Sequence, residues 1–198
     1  DEEDVGRMAI AARAARIAFV PQRPTVAAAF CVREVVALGR YAQPPEPRRL
    51  REALEAWDLV PLADRSFHSL SAGHQHRVAL ARAAAQLAPA GCLVLDEPTA
   101  AMDLSHARST VAHLRDVAAT GAVVIVSTHD LSLASVLADD IWMLSSGRLV
   151  GAGPASALLT PERLEPVFGV PFVRVMAGTT AQVTPLLRGD ADTIASRG

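Results

Sequence analysis

The chain contains no lysine; all nineteen of its basic residues are arginine. That rules out, within these 198 residues, any phosphate loop of the form Gly-x-x-x-x-Gly-Lys-[Ser/Thr]. A basic excess is also lacking. Nineteen basic against twenty-one acidic residues give a net charge of −2, which weighs against a nucleic-acid partner. Cysteine is scarce: Cys31 and Cys92 lie far apart inside apolar runs and are expected to be buried thiols of a reducing compartment, with a disulfide between them as the lesser alternative. No apolar run approaches the ~20 residues that span a bilayer. The opening Asp1-Glu2-Glu3-Asp4 is acidic where a secretory signal is basic. The first residue is Asp instead of Met, so the sequence is expected to be processed or a piece of something longer.

What is present suffices for a folded core. The hydrophobic fraction is 51% against 20% charged, which excludes a disordered tail. Dividing the length by ~150 residues predicts one domain with room for a subdomain. Short β-rich apolar runs alternate with helical patterns. Ile17–Val20, Cys92–Leu95, Ala122–Val126, Asp140–Leu144 and Arg148–Val150 read as strands, the last two separated by a Ser146-Gly147 turn. Runs without polar alternation predict strands covered on both faces, as in a parallel sheet. Two helices are predicted between them. Ala72–Leu87 places Val78, Ala81 and Ala85 on one side; Ser105–Thr120 aligns Val111, Leu114 and Val117 and stops at Gly121. The expected class is α/β.

The stretch from Thr25 to Leu70 differs. It carries helical patterns at Val32–Leu38 and Arg48–Trp57 around a proline-rich break at 44–47, and no convincing strand, so it reads as an inserted helical subdomain. Val173, Val175 and Val183 flank Gly178-Thr179-Thr180 and predict a small C-terminal hairpin.

Four local features carry chemistry. Cys92-Leu93-Val94-Leu95-Asp96-Glu97 delivers two carboxylates to the tip of a strand, the edge of an α/β sheet where ligands bind. One acid there suits Mg²⁺ and the next suits water activation, although an isolated acidic pair after a strand is more often just solvated. Leu70-Ser71-Ala72-Gly73-His74-Gln75 opens a helix with a good N-cap and a glycine, and a helix start attracts anions; alone it is more often an ordinary helix start. His129, after Ser127-Thr128, and Gln22, after the first strand, complete the set. Each is weak by itself.

In order and context these residues resemble the ATP-binding-cassette (ABC) ATPases. Val20-Pro21-Gln22 resembles the Q-loop. Residues 70–75 resemble the signature motif, with Ala72 and His74 departing from the usual glycine and glycine-or-glutamate. Cys92–Asp96 resembles Walker B, Glu97 the catalytic glutamate, Ala101-Met102-Asp103 the D-loop and His129 the switch histidine. The resemblance runs from about Ile17 to Gly153, more loosely to Gly169. It implies a P-loop NTPase-like parallel sheet, incomplete at its N-terminus, with an inserted α-helical subdomain. The chain is then one N-terminally truncated ABC ATPase domain over 1–198. Residues 1–24 and 91–169 form its α/β core, 25–90 the helical subdomain with the signature motif, and 170–198 a C-terminal extension.

The resemblance also implies a mechanism. Two ATPase subunits in a head-to-tail homodimer sandwich ATP. Asp96 and Gln22 hold Mg²⁺, Glu97 polarises water and His129 contacts the γ-phosphate. Ser71, Gly73 and Gln75 reach the nucleotide of the other subunit, and Asp103 crosses the interface. Val32–Arg40, Leu159–Leu164 and Val167–Val170 resemble importers of iron chelates, haem or cobalamin. Expected partners are a transmembrane permease and, indirectly, a substrate-binding protein, with no nucleic acid. The expected location is the cytoplasmic face of the membrane, peripherally. The coupling groove is expected near Gln22, where Phe30, Val32 and Val35 are either contacts or core. Two alternatives stay open: a non-catalytic subunit lending only its signature motif, and a soluble ABC ATPase outside transport.

Overall fold

A computed structural model describes residues 4–88, 90–100, 102–177 and 180–186. The chain falls into two compact units, Asp1–Ser127 and Thr128–Gly198. In the first, three parallel strands, β1 (Ile17–Val20), β2 (Cys92–Asp96) and β3 (Val123–Ser127), lie in the order β1-β2-β3. Each crossover between parallel strands must carry a long connection. Between β1 and β2 it holds the helical subdomain: α2 (Val32–Ala37), α3 (Pro47–Ala56) and α4 (Ala72–Gln86). Between β2 and β3 it holds α5 (Leu104–Ala119). A short helix, α1 (Ile10–Arg16), leads into β1.

Register sets two faces on this sheet. Ala18 and Leu93, then Val20 and Leu95, share the face that is 0–3% exposed. The opposite face holds Phe19, Val94 and Ile125, and Phe19 and Val123 are 52% and 57% exposed. Coverage on both faces, expected from the unbroken apolar runs, is therefore met on one side only among the described residues. A groove of about 690 Å³ lies beside Ile17, Phe19, Val94 and Arg82.

α4 is the axis of the subdomain. Ser71 caps it by accepting the backbone N–H of His74, and burial from His76 to Ala85 runs around the helix, not along one stripe. Alanine allows this, since small side chains let neighbours approach from every side. Gly39 shows how close they come: a Cβ there would strike the carbonyl of Arg82. Val32, Val35 and Val36 of α2 are 0–1% exposed, so Val32 and Val35 belong to this core and do not line a coupling surface; Phe30 is half-buried. Cys31 and Cys92 are free thiols, half-buried where full burial was expected.

In the second unit, β4 (Asp140–Ser145) pairs with β5 (Arg148–Pro154) antiparallel, apart from the parallel sheet. The reason is local. Ser146 and Gly147 both have positive φ, +49° and +73°, the signature of a two-residue type I′ turn, and such a turn joins only antiparallel strands. The expectation that these two runs extend the parallel sheet is corrected. The unit is completed by α6 (Leu131–Leu137), α7 (Ala155–Leu158), α8 (Pro161–Phe168) and a second hairpin, β6 (Phe172–Ala177) with β7 (Thr180–Pro185). The predicted C-terminal hairpin is thus present, and its turn residues Gly178 and Thr179 lie outside the described residues. Met143, Leu158, Leu164 and Phe172 form the unit's core.

Candidate functional site

The carboxyl ends of the parallel strands gather the acidic residues. Asp96 closes β2 and sits in register with Ser127, which closes β3 and donates its hydroxyl to Asp96 Oδ1. Glu97 follows with a φ of +47°. Few non-glycine residues occupy this region, and those that do cluster at functional sites, where surrounding bonds hold them. Here the Glu97 amide donates to the Ser127 carbonyl at 3.0 Å, so the chain turns off the sheet at the carboxylate pair. Gln22 lies two residues beyond the end of β1, at the same edge, and its side chain is exposed.

α4 reaches this edge from the side. Its last residue, Gln86, donates from Nε2 to the carbonyls of Ala14 at 2.8 Å and Ile17 at 2.9 Å, at the start of β1. Near its other end, the Gln22 backbone carbonyl acts on the ring of His76. The helix therefore runs antiparallel to β1 and points its N-terminus beyond the strands' carboxyl ends. Ser71 is exposed there and Gly73 half-buried. Ser71 Oγ also lies 2.7 Å from His74 Nδ1. Gln75 is tied inward, its Nε2 donating to the Phe67 carbonyl at 3.2 Å.

Asp103 is exposed and caps α5. Its Oδ1 accepts the backbone N–H of His106 and the hydroxyl of Ser105, both at 2.9 Å, and its Oδ2 lies 2.8 Å from His106 Nδ1. The backbone donor and then the side chain of His106 hold the Asp103 carboxyl well below the ordinary range. Of the D-loop residues, Ala101 lies outside the described residues. His129 is exposed, two residues beyond Ser127 at the opening of the second unit, where Asp130 caps α6 by accepting from the amides of Ser132 and Leu133.

Two histidines carry more than the sequence suggested. His76 is 1% exposed and neither ring nitrogen makes a hydrogen bond of ordinary geometry. Burial lowers its pKa, against the pull of the Gln22 carbonyl, so the ring is neutral beneath the Gln22 loop. Its only sequence signal was a titratable residue on the buried side of a helix. His74 was visible as a departure from the signature pattern, but its contact with Ser71 was not.

As a cation site the strand tips offer only oxygen donors, from Asp96, Ser127 and the Gln22 side chain. Mg²⁺ prefers such a set, taking one or two protein oxygens and completing its shell with water and phosphate. Among the described residues no group of three or more His, Cys, Asp or Glu is placed to cage a metal. The oxygen donors fit a hard cation that keeps part of its water shell.

Paired acids at the carboxyl edge of a parallel sheet, with a capped helix start directed to that edge, are the arrangement that the resemblance to ABC ATPases implies. The chain belongs to the ABC transporter family, whose sequence profile matches residues 1–100. Among curated proteins it is 38% identical over 196 residues to the hemin import ATP-binding protein HmuV of Rhodococcus jostii (strain RHA1), covering 96% of this chain and 66% of that one. It is 43% identical over 164 residues to the protein of the same name in Nocardia farcinica (strain IFM 10152), covering 80% and 56%. The chain thus spans about two thirds or less of these relatives' lengths. Among solved structures it superposes on a metal-chelate-type ABC transporter in an inward-facing conformation with a TM-score of 0.73, at 28% identity, covering 87% of this chain and 74% of that one.

Proposed function

We propose that the chain belongs to the ATP-binding subunit of an ABC importer for hemin or a related metal chelate, and that it contributes to two composite ATP sites. To one it brings Asp96, Glu97, Gln22 and His129; to the other, the start of α4. The observation that carries this is the carboxylate pair on β2, held to Ser127 of β3, at the edge toward which α4 points. Mg²⁺, when bound with ATP, supplies charge neutralisation at the phosphates. Asp96 offers it an oxygen, oriented by the Ser127 hydroxyl, and the Gln22 amide oxygen offers a second. Glu97 accepts a proton from the attacking water, and His129 donates to the γ-phosphate. Ser71 and the free amides at the start of α4 bind the γ-phosphate held by a second copy, where the helix dipole favours negative charge. Asp103 fixes the start of α5 at the interface between copies.

The cargo rests on the hemin import named in the relatives. Permease subunits, with a substrate-binding protein behind them, are the proposed partners, at a peripheral place on the cytoplasmic membrane face; the import role named in the relatives supports this reading. Among the described residues no helix is long and apolar enough to cross a membrane. Deleting the gene is expected to abolish growth on hemin as sole iron source, and the tagged subunit to co-purify with a polytopic permease. Unchanged hemin use would overturn the cargo, and a subunit free of any permease would favour a soluble ABC ATPase.

The 198 residues hold no lysine and so no phosphate-loop lysine of their own. The chain alone is expected to hydrolyse MgATP negligibly. Turnover by the chain alone that Glu97→Gln abolishes would refute that expectation.

A further inference from the structure

Of the buried residues of α4 only His76 and Arg77 are polar; from Val78 to Ala85 the rest are valine, leucine and alanine. The His76 ring is 1% exposed, and neither Nδ1 nor Nε2 makes a hydrogen bond of ordinary geometry. Burying an imidazole with both nitrogens idle opposes folding. A leucine would fill the same place without that cost, so the histidine calls for a partner.

One partner is at hand: the backbone carbonyl of Gln22 faces the ring. A carbonyl only accepts, so the nitrogen that faces it carries the ring's proton, whichever tautomer that requires. The neutral ring suffices, and no proton has to be taken up. The two sides differ in freedom. His76 is fixed within a helix of 15 residues, whereas residues 21–30 form neither helix nor strand. The Gln22 carbonyl is thus committed to no backbone ladder and is free to close the remaining gap to the ring. Closing it ties the loop that carries Gln22 to the helix that carries Ser71.

Resting on the ATP site proposed above, we propose that His76 is a positioning residue: from its buried place on α4 its ring N–H holds the Gln22 carbonyl, and so fixes the Gln22 side chain at the carboxyl edge of the sheet.

The test uses the full-length ATPase assembled with its permease. His76→Leu keeps the bulk and removes the donor. It is expected to melt at or above the wild-type temperature, since no idle imidazole remains on α4. It is nevertheless expected to lower kcat for MgATP about tenfold, the scale on which the outer partner of a metal ligand acts. His76→Gln returns an N–H donor and is expected to recover most of that turnover. In a Gln22→Ala background His76→Leu is expected to add nothing. Wild-type turnover by His76→Leu beside an impaired Gln22→Ala overturns the role of His76 and leaves the ATP site standing. Effects that simply add in the double variant overturn it as well, because His76 then acts other than through Gln22. A melting temperature that falls together with turnover, and that His76→Gln does not restore, marks a residue of the core and overturns it too. A Gln22→Ala variant that turns over like the wild type removes Gln22 from the site and His76 with it. A further measurement needs no variant: the distance between the His76 ring ¹⁵N and the Gln22 carbonyl ¹³C, by solid-state NMR on the same assembly with MgATP. Hydrogen-bonding range is expected, and a separation beyond that reach overturns the proposal even where His76→Leu fails to fold.

Discussion

The start of α4 and the tip of β2 serve the same edge of the first unit and are built in opposite ways. The helix start is local. Ser71 caps the amide of His74 and meets its ring, all within four consecutive positions. The strand tip is assembled from residues more than a hundred positions apart. β1 at Ile17–Val20 and β3 at Val123–Ser127 flank β2, and Ser127 both orients Asp96 and receives the Glu97 amide. A local motif survives small disturbances elsewhere. A tip held by register depends on the packing beneath it.

Three substitutions test that contrast. The largest effect is expected at the tip: Glu97→Gln in the full-length, assembled ATPase should lower kcat by roughly 10²–10⁴-fold, the scale of general base catalysis, with little change in folding. Steady-state hydrolysis and a thermal melt measure both; retained turnover would remove Glu97 from the chemistry. Next comes the packing under the tip. Leu95, 1% exposed, faces the buried side of β2, and Leu95→Ala should cost about 2–5 kcal/mol by opening a cavity. Urea unfolding measures it, and a loss below that of the helix cap would erase the contrast. The smallest stability effect is expected at the helix start, where Ser71→Ala removes one capping bond, worth about 0.5–2 kcal/mol in the same urea experiment.

The pattern of strands and helices was legible because burial writes itself into the residue types. The continuous runs at 17–20, 92–95 and 122–126 became the parallel strands at 17–20, 92–96 and 123–127, and the Ala-rich stretch became a central helix. The proposed site residues are read from motifs of neighbours in sequence, and register places Asp96 beside Ser127. Where expectation and structure part, the cause is an interaction the residue types do not show. Asp140–Leu144 and Arg148–Val150 resemble parallel core strands, but the backbone at Ser146 and Gly147 folds them onto each other. Val32 and Val35 have the right character for a docking surface, and neighbouring helices bury them. His76 carries no motif in the sequence, and only the fold shows it buried beneath the Gln22 loop.

By itself the sequence determined the alternation of strand and helix and the family, because each rests on short-range periodicity or on motifs of adjacent residues. Only the tertiary structure decided which strands share a sheet, which sheet face is covered, and which proton donors meet Ser71 and Asp96. Those depend on register and packing between segments far apart in the chain, where distances of a few ångströms choose one partner among many of the same type.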